Sequence, residues 1–245
     1  MRLSLSVILI SFVLFNLKAQ LTSSFHFEDD AIEKYSVKFD EINNLVLLPI
    51  SLNGSDTLYF ILDSGAENIT LFNSEFEESP LDTNYLRKVS VVGVGNEEPI
   101  EAYVSPLNTI TCGKIIGSNQ NIIYIPDNSI KFSELLGHPV HGILGIPIFK
   151  SFTVEINYST KLVTFYKKSI YKPKRRFSTI DLTVIGTRPF VELNITLQPR
   201  INLYTILLLD SGESKPLSLF MNSDEMMFIP SVSYTHLRAH ETTSH

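Results

Sequence analysis

Apolar residues in this chain come in short blocks or strict alternation, divided by turn formers, over most of its length. "NLVLLPISL" leads into Asn53-Gly54, a strong tight-turn signal, and "TLYFIL" reads as the returning strand. "KVSVVGVG", "EAYVSPLNTI", "GKIIGSNQNIIYI", "FTVEINY" and "KLVTFYK" continue in the same way. They are rich in Val, Ile, Thr, Tyr and Phe, which fit a pleated, half-buried surface. Only "NSIKFSELLG" at 128–137 has helical spacing, and it is short. The pattern from 40 to 168 predicts an all-β unit.

The same programme then restarts. "KKSIYKPKRRF" (167–177) is basic and interrupted by Pro173. Its stretch at 169–177 reads as a solvated linker, with an anionic surface contact as the second reading. Beyond it, "RPFVELNITLQPRINLYTILLLDSG" parallels "NLVLLPISLNGSDTLYFILDSG" as strand, turn, strand, Asp-Ser-Gly. Leu-Phe follows in both copies, at Leu71-Phe72 and Leu219-Phe220. A repeat on this scale predicts two related lobes, the first at 40–168 and the second beginning at 178–231.

The two ends read differently. "MRLSLSVILISFVLFNLKAQ" has a basic n-region at Arg2, an apolar run over 5–17 and a small residue at Ala19. This predicts a secretory signal peptide over 1–20, cut near Ala19 or Gln20. The run is short for a membrane anchor, so no stable membrane span is expected. Export to the periplasm, cell surface or medium follows. Residues 232–245, "VSYTHLRAHETTSH", break the β-pattern and carry His236, His240 and His245. They read as a translated sequencing adapter, so they are set aside from the fold and expected to stay unpacked. On that reading the second lobe is truncated after about Ser231.

Composition narrows the chemistry. With 245 residues, 44% of them hydrophobic, the chain can bury a substantial core. A net charge of -6 argues against nucleic acid as a partner. The one cysteine, Cys112, excludes an intrachain disulfide. His138 and His141 in "HPVH" have no further ligands clustered with them, so neither metal nor cofactor is expected.

What remains is the repeated Asp-Ser-Gly. Asp63 follows Phe60-Ile61-Leu62, and Asp210 follows a similar apolar run. A carboxylate at the tip of a buried strand is costly to bury alone, and two of them suggest that they meet. Two adjoining carboxylates do not both ionise easily, so one proton is shared and the pair titrates as a unit. The charged member can take a proton from water while the neutral one donates to a carbonyl oxygen. Gly65 and Gly212 permit close backbone approach, and the hydroxyls of Ser64 and Ser211 can tie each turn to its counterpart.

On these residues the chain resembles the aspartic peptidases of the retropepsin/pepsin clan, in particular the bacterial secreted aspartyl proteases with two lobes in one chain. The clan's hydrophobic-hydrophobic-Asp-Thr/Ser-Gly element is matched at 61–65 and 208–212. Its hydrophobic-hydrophobic-Gly turn is matched by Ile143-Leu144-Gly145 within "HGILGIPIFKSFTVEINYSTKLVTFY". The resemblance implies a closed acid-protease β-barrel lobe, Asp63 and Asp210 as catalytic residues, and Gly145 buttressing the catalytic loop. It implies a polypeptide substrate and a β-hairpin flap. "VVGVGNEEP" is the flap candidate, with Gly93, Val94, Gly95 and Asn96 at its tip and Tyr103 beside it. One departure is Glu213, where the clan usually has a small residue; Ala66 holds that place in the first copy. The function expected is aspartic-type endopeptidase, hydrolysing peptide bonds. The alternative is a catalytically inactive peptide-binding module on the same scaffold, and an envelope adhesion protein ranks below both.

Overall fold

The computed structural model describes residues 22–72, 80–91, 99–126, 132–198 and 201–218. The expected signal peptide, the flap tip at Gly93, Val94, Gly95 and Asn96, the second Leu-Phe and the 232–245 tail lie outside the described residues. The strands of the first unit are β1 (Ser24–Phe27), β2 (Lys34–Lys38), β3 (Asp40–Ile42), β4 (Leu45–Leu52), β5 (Leu58–Leu62), β6 (Ile69–Phe72), β7 (Arg87–Val91), β8 (Ile100–Cys112) and β9 (Ile115–Ile125). A short helix α1 (Phe132–Leu136) and β10 (Gly142–Leu144) follow, then helix α2 (Ile146–Ser151), β11 (Phe152–Asn157) and β12 (Leu162–Lys167).

Six of these strands close on themselves. β4 pairs β5, β5 pairs β10, β10 pairs β6, β6 pairs β9, β9 pairs β8, and β8 returns to β4. The result is an all-β acid-protease barrel. β10 lies between β5 and β6, parallel to one and antiparallel to the other. The strand carrying "GIL" is thus inserted between the strand that ends at Asp63 and the strand that follows it.

The continuous apolar run of β4 has a simple cause. Its side chains alternate between two buried faces. Val46, Leu48, Ile50 and Leu52 enter the barrel core with Phe60, Leu62, Leu71 and Leu144. Leu45 and Leu47 pack outside with Ile61 and Val140, under Phe132 and Leu136 of α1. Each such side chain contributes on the order of 1.5–3 kcal/mol when fully buried, so this barrel is the stable platform for the loops at its end. The turn after β4 takes Asn53 and Gly54 to φ of 51° and 81°, the positive pair that Asn-Gly accommodates.

Two local features differ from the sequence expectation. "IPIFKS" forms α2, although "NSIKFSELLG" alone was expected to be helical. Gly145 caps α2 and Pro147 stands in its first turn, where a missing N–H costs nothing and a strand would lose a ladder bond. Pairing also begins at Ser24, ahead of residue 40, because β1 and β2 add to β9 and β12. These strands are too short for their alternation to have been read from sequence.

The second unit comprises β13 (Thr183–Ile185), β14 (Arg188–Gln198) and β15 (Ile201–Leu208), an antiparallel meander. It repeats β3–β4–β5. In each copy a two-residue turn separates the first two strands, with Ile42 opposite Leu45 and Ile185 opposite Arg188. Asn43 and Asn44 take φ of 50° and 67° in one turn, and Gly186 takes 65° in the other. The surroundings differ, since Ile206 on β15 is more than half exposed while its counterpart strand β5 is largely buried.

Candidate active site

Asp63 leaves the end of β5, where its N–H donates to the Leu144 carbonyl at 3.1 Å. Its Oδ1 then accepts from the N–H groups of Gly65 (2.7 Å) and Ala66 (3.0 Å). Asp210 follows β15 in the same manner, its Oδ1 accepting from Gly212 N–H at 2.8 Å. The loops therefore fold back on their own carboxylates.

The serines lock the two loops together reciprocally. Ser64 Oγ donates to the Leu209 carbonyl at 2.7 Å, and Ser211 Oγ donates to the Leu62 carbonyl at 2.8 Å. Each hydroxyl also accepts from the other serine's N–H, both at 3.0 Å. All four bonds cross between units separated by about 147 positions.

The glycines permit this approach. A Cβ on Gly65 would lie 2.7 Å from the Asp210 carboxyl carbon, and one on Gly212 would lie 2.4 Å from that of Asp63. Neither space admits a side chain. Gly145 packs against the first loop: a Cβ there would meet the carbonyl oxygens of Asn68 at 2.3 Å and Ala66 at 2.5 Å. Ile146 N–H donates to that same Ala66 oxygen at 2.8 Å.

Asp63 and Asp210 share a hydrogen bond, and the Asp63 carboxyl is pushed up from 3.8 to about 7. Burial is the largest cause, the neighbouring Asp210 carboxylate the second, and their mutual hydrogen bond the third. The N–H donors of Gly65 and Ala66 pull the other way. A pair that holds one proton near neutral pH can act as base and acid at once.

The structure thus brings Asp63, Ser64, Gly65, Asp210, Ser211 and Gly212 into one cluster, with Gly145 behind it. Glu213 turns its carboxylate onto the N–H of Lys215 at 3.0 Å. The strands β7 and β8 run antiparallel up to Val91 and Ile100, flanking the proposed flap segment. Tyr103 on β8 donates its hydroxyl to Glu101 at 2.6 Å. Among the described residues no three His, Cys, Asp or Glu side chains are grouped to hold a metal ion. His141 Nδ1 accepts from Tyr59 N–H at 2.9 Å, a bond that fastens the approach to β10 onto β5. A cavity of about 560 Å³ between α2 and the second unit is lined mainly by apolar side chains and reaches Ser64, Asp210 and Ser211.

Contacts between the two units beyond the motif were not anticipated. Arg188 at the start of β14 pairs with Glu67. Asn44, in the turn before β4, donates to the Ser214 carbonyl at 3.0 Å. No local pattern announces them, because each joins a turn of one unit to the loop of the other.

A closed barrel whose end loop presents a carboxylate on an Asp-Ser-Gly turn, buttressed by an inserted "GILG" strand, is the architecture of an acid-protease lobe. Residues 48–148 match the family model described as aspartyl protease, a span that includes both Asp63 and Gly145. The match supports an aspartic-type peptidase, a hydrolase acting on polypeptide. No curated protein is similar enough to the chain to match it.

Proposed function

We propose that the chain is an exported aspartic endopeptidase of the bacterial two-lobed kind, with Asp63 and Asp210 as its catalytic pair. The observation that carries the reading is the set of reciprocal serine bonds that draws each Asp-Ser-Gly loop against the other, with each glycine packed on the opposite carboxyl. One proton lies between the two carboxyls. The ionised member takes a proton from a water held over the pair, and the water oxygen attacks the peptide carbonyl carbon. The neutral carboxyl donates its proton to the carbonyl oxygen as the tetrahedral gem-diol forms. A proton then passes to the leaving nitrogen, the C–N bond breaks, and the pair again holds one proton. The substrate is an extended polypeptide whose main chain pairs with sheet edges near the cleft. The sequence also supplies a flap candidate with Gly93, Val94, Gly95 and Asn96 at its tip, and residues 1–20 direct export to the periplasm, cell surface or medium.

The test is hydrolysis of a quenched-fluorescent peptide mixture by the purified protein and by Asp63→Asn and Asp210→Asn variants. Each variant should lose at least about 10³-fold in rate, since Asn keeps the shape but neither accepts the water's proton nor supplies an acid. Circular dichroism should stay native, and a chelator should leave the wild-type rate unchanged. Full activity in either variant, or a rate abolished by the chelator, would overturn the mechanism. A native protein that binds peptides without cleaving them would instead identify the silent binding module.

A further inference from the structure

Each Asp-Ser-Gly loop is gripped by the opposite unit at the fourth residue after its aspartate. In the first loop that residue is Glu67, whose Oε1 lies 3.5 Å from Arg188 Nε. In the second it is Ser214, whose carbonyl accepts from Asn44 Nδ2 at 3.0 Å. Asn44 lies in the turn that leads from β3 into β4, and Arg188 opens β14 directly after the corresponding turn, one position further along the repeat. The grips thus lie close together in the repeat but differ in chemistry. One is a neutral hydrogen bond; the other is ionic.

The ionic grip sits on a short path between the carboxylates. Glu67 follows Ala66, whose N–H donates to Asp63 Oδ1 and whose carbonyl accepts from Ile146 N–H. Arg188 precedes Pro189, whose carbonyl accepts from Leu209 N–H at 2.9 Å, and Leu209 precedes Asp210. The pair therefore closes a ring of links from Asp63 to Asp210 that runs outside the serine bonds. Arg188 Nε is shielded from water and has no hydrogen-bond partner among the described residues, so the adjacent Glu67 carboxylate is what offsets its desolvation. Exposed ion pairs ordinarily contribute little. Both side chains here are partly exposed, at 40% and 49%, and what sets the pair apart is the shielded Nε and its place across the boundary between units.

We propose that the Arg188–Glu67 pair is a positioning clasp: it sets how closely the two Asp-Ser-Gly loops approach, and thereby how firmly the two carboxylates hold their shared proton. The inference rests on the dyad assigned above, and neither Arg188 nor Glu67 touches substrate in it. Slack of about 1 Å at a reacting centre costs up to about 10²-fold in rate, so a partial loosening should appear in kcat rather than KM. Carboxylates that move apart repel each other less and lose their proton at lower pH.

The test uses the purified full chain with Arg188→Gln, Glu67→Gln and the reversed pair Glu67→Arg/Arg188→Glu. Circular dichroism checks folding, peptide hydrolysis gives kcat and KM across pH, and carbon-13 NMR titrates the two carboxyls without substrate. Each single variant should lower kcat about tenfold with KM within about twofold, and move the upper pH limb down by about one unit. The reversed pair should recover most of both effects. A natively folded Arg188→Gln protein with wild-type kcat and an unchanged limb would overturn the clasp, as would a reversed pair no better than the single variants. If the single variants do not fold, the reversed pair decides, since a clasp restores its activity and a mere requirement for Arg188 does not. If the wild-type protein cleaves no peptide, the carboxyl titration separates the two ideas. A downward shift in Arg188→Gln then upholds the clasp and sinks the hydrolytic reading, and an unmoved titration sinks the clasp.

Discussion

Replacing Asp63 by Asn should make the protein more stable at neutral pH while it removes hydrolysis. The Asp63 carboxyl titrates from an ordinary 3.8 up to about 7, through burial, the Asp210 carboxylate and the hydrogen bond between them, in that order. A group whose folded pKa lies above its unfolded value holds its proton more tightly in the native state. Its stabilisation is complete below about pH 4 and is lost as pH rises through 7. At 1.36 kcal/mol per unit, the shift corresponds to roughly 4 kcal/mol of folding free energy lost across that window. Asn does not titrate, yet its Oδ1 still accepts from Gly65 and Ala66 N–H, and its amide can donate toward Asp210. At pH 8 the variant should therefore exceed wild type by a few kcal/mol, and near pH 4 the difference should vanish or reverse. Urea unfolding followed by far-ultraviolet circular dichroism from pH 4 to 8 measures both curves. The difference between the two curves is the readout, because it isolates the one group that the substitution removes. A wild-type curve parallel to that of Asp63→Asn would refute the buried, proton-sharing pair.

Other substitutions probe the same assembly. Gly212→Ala places a Cβ 2.4 Å from the Asp63 carboxyl carbon and should drop peptide hydrolysis by at least about 10²-fold, read in a kinetic assay on folded protein. Ser64→Ala removes the donor to Leu209 and the acceptor for Ser211 N–H, and should cost roughly 2–4 kcal/mol in urea unfolding. Cys112, the one cysteine, is buried and its thiol is pushed up to about 12 by burial, so a disulfide reagent at pH 8 should label it only after denaturation.

The barrel was legible because its strands obey a local rule. β4 and β5 each put alternate residues on two apolar faces, and the turn between them uses Asn-Gly at positive φ. The Asp-Ser-Gly repeat was legible for another reason, since each motif carries its own carboxylate, hydroxyl and glycine in three consecutive positions. α2 escaped notice because "IPIFKS" is as apolar as a strand, and only the cap at Gly145 and the ring of Pro147 turn it helical. The β1 and β2 pairings escaped because four or five residues carry too little periodicity. Arg188, Glu67 and Asn44 were invisible for a deeper reason. Their meaning lies in which turn of one unit reaches which loop of the other, and that is a property of the assembled pair.

The serine bonds explain why the motif had to be written twice. Leu62 ends β5 fully buried, whereas Leu209 follows β15 and is about half exposed. A buried carbonyl such as that of Leu62, left without a donor, would cost about 1–3 kcal/mol. In each case the missing donor is the serine hydroxyl of the other unit. The same hydroxyl then accepts the N–H of the serine opposite, so both groups of each loop are satisfied only across the boundary. On the proposed function the carboxylates follow the same logic, since a charge costly to bury alone is eased when two acids share a proton. Either unit by itself leaves a strand-end carbonyl and a serine N–H without the partners that the other unit supplies. Joining the units removes those costs at one point in space, and it is there that each loop's glycine meets the opposite aspartate.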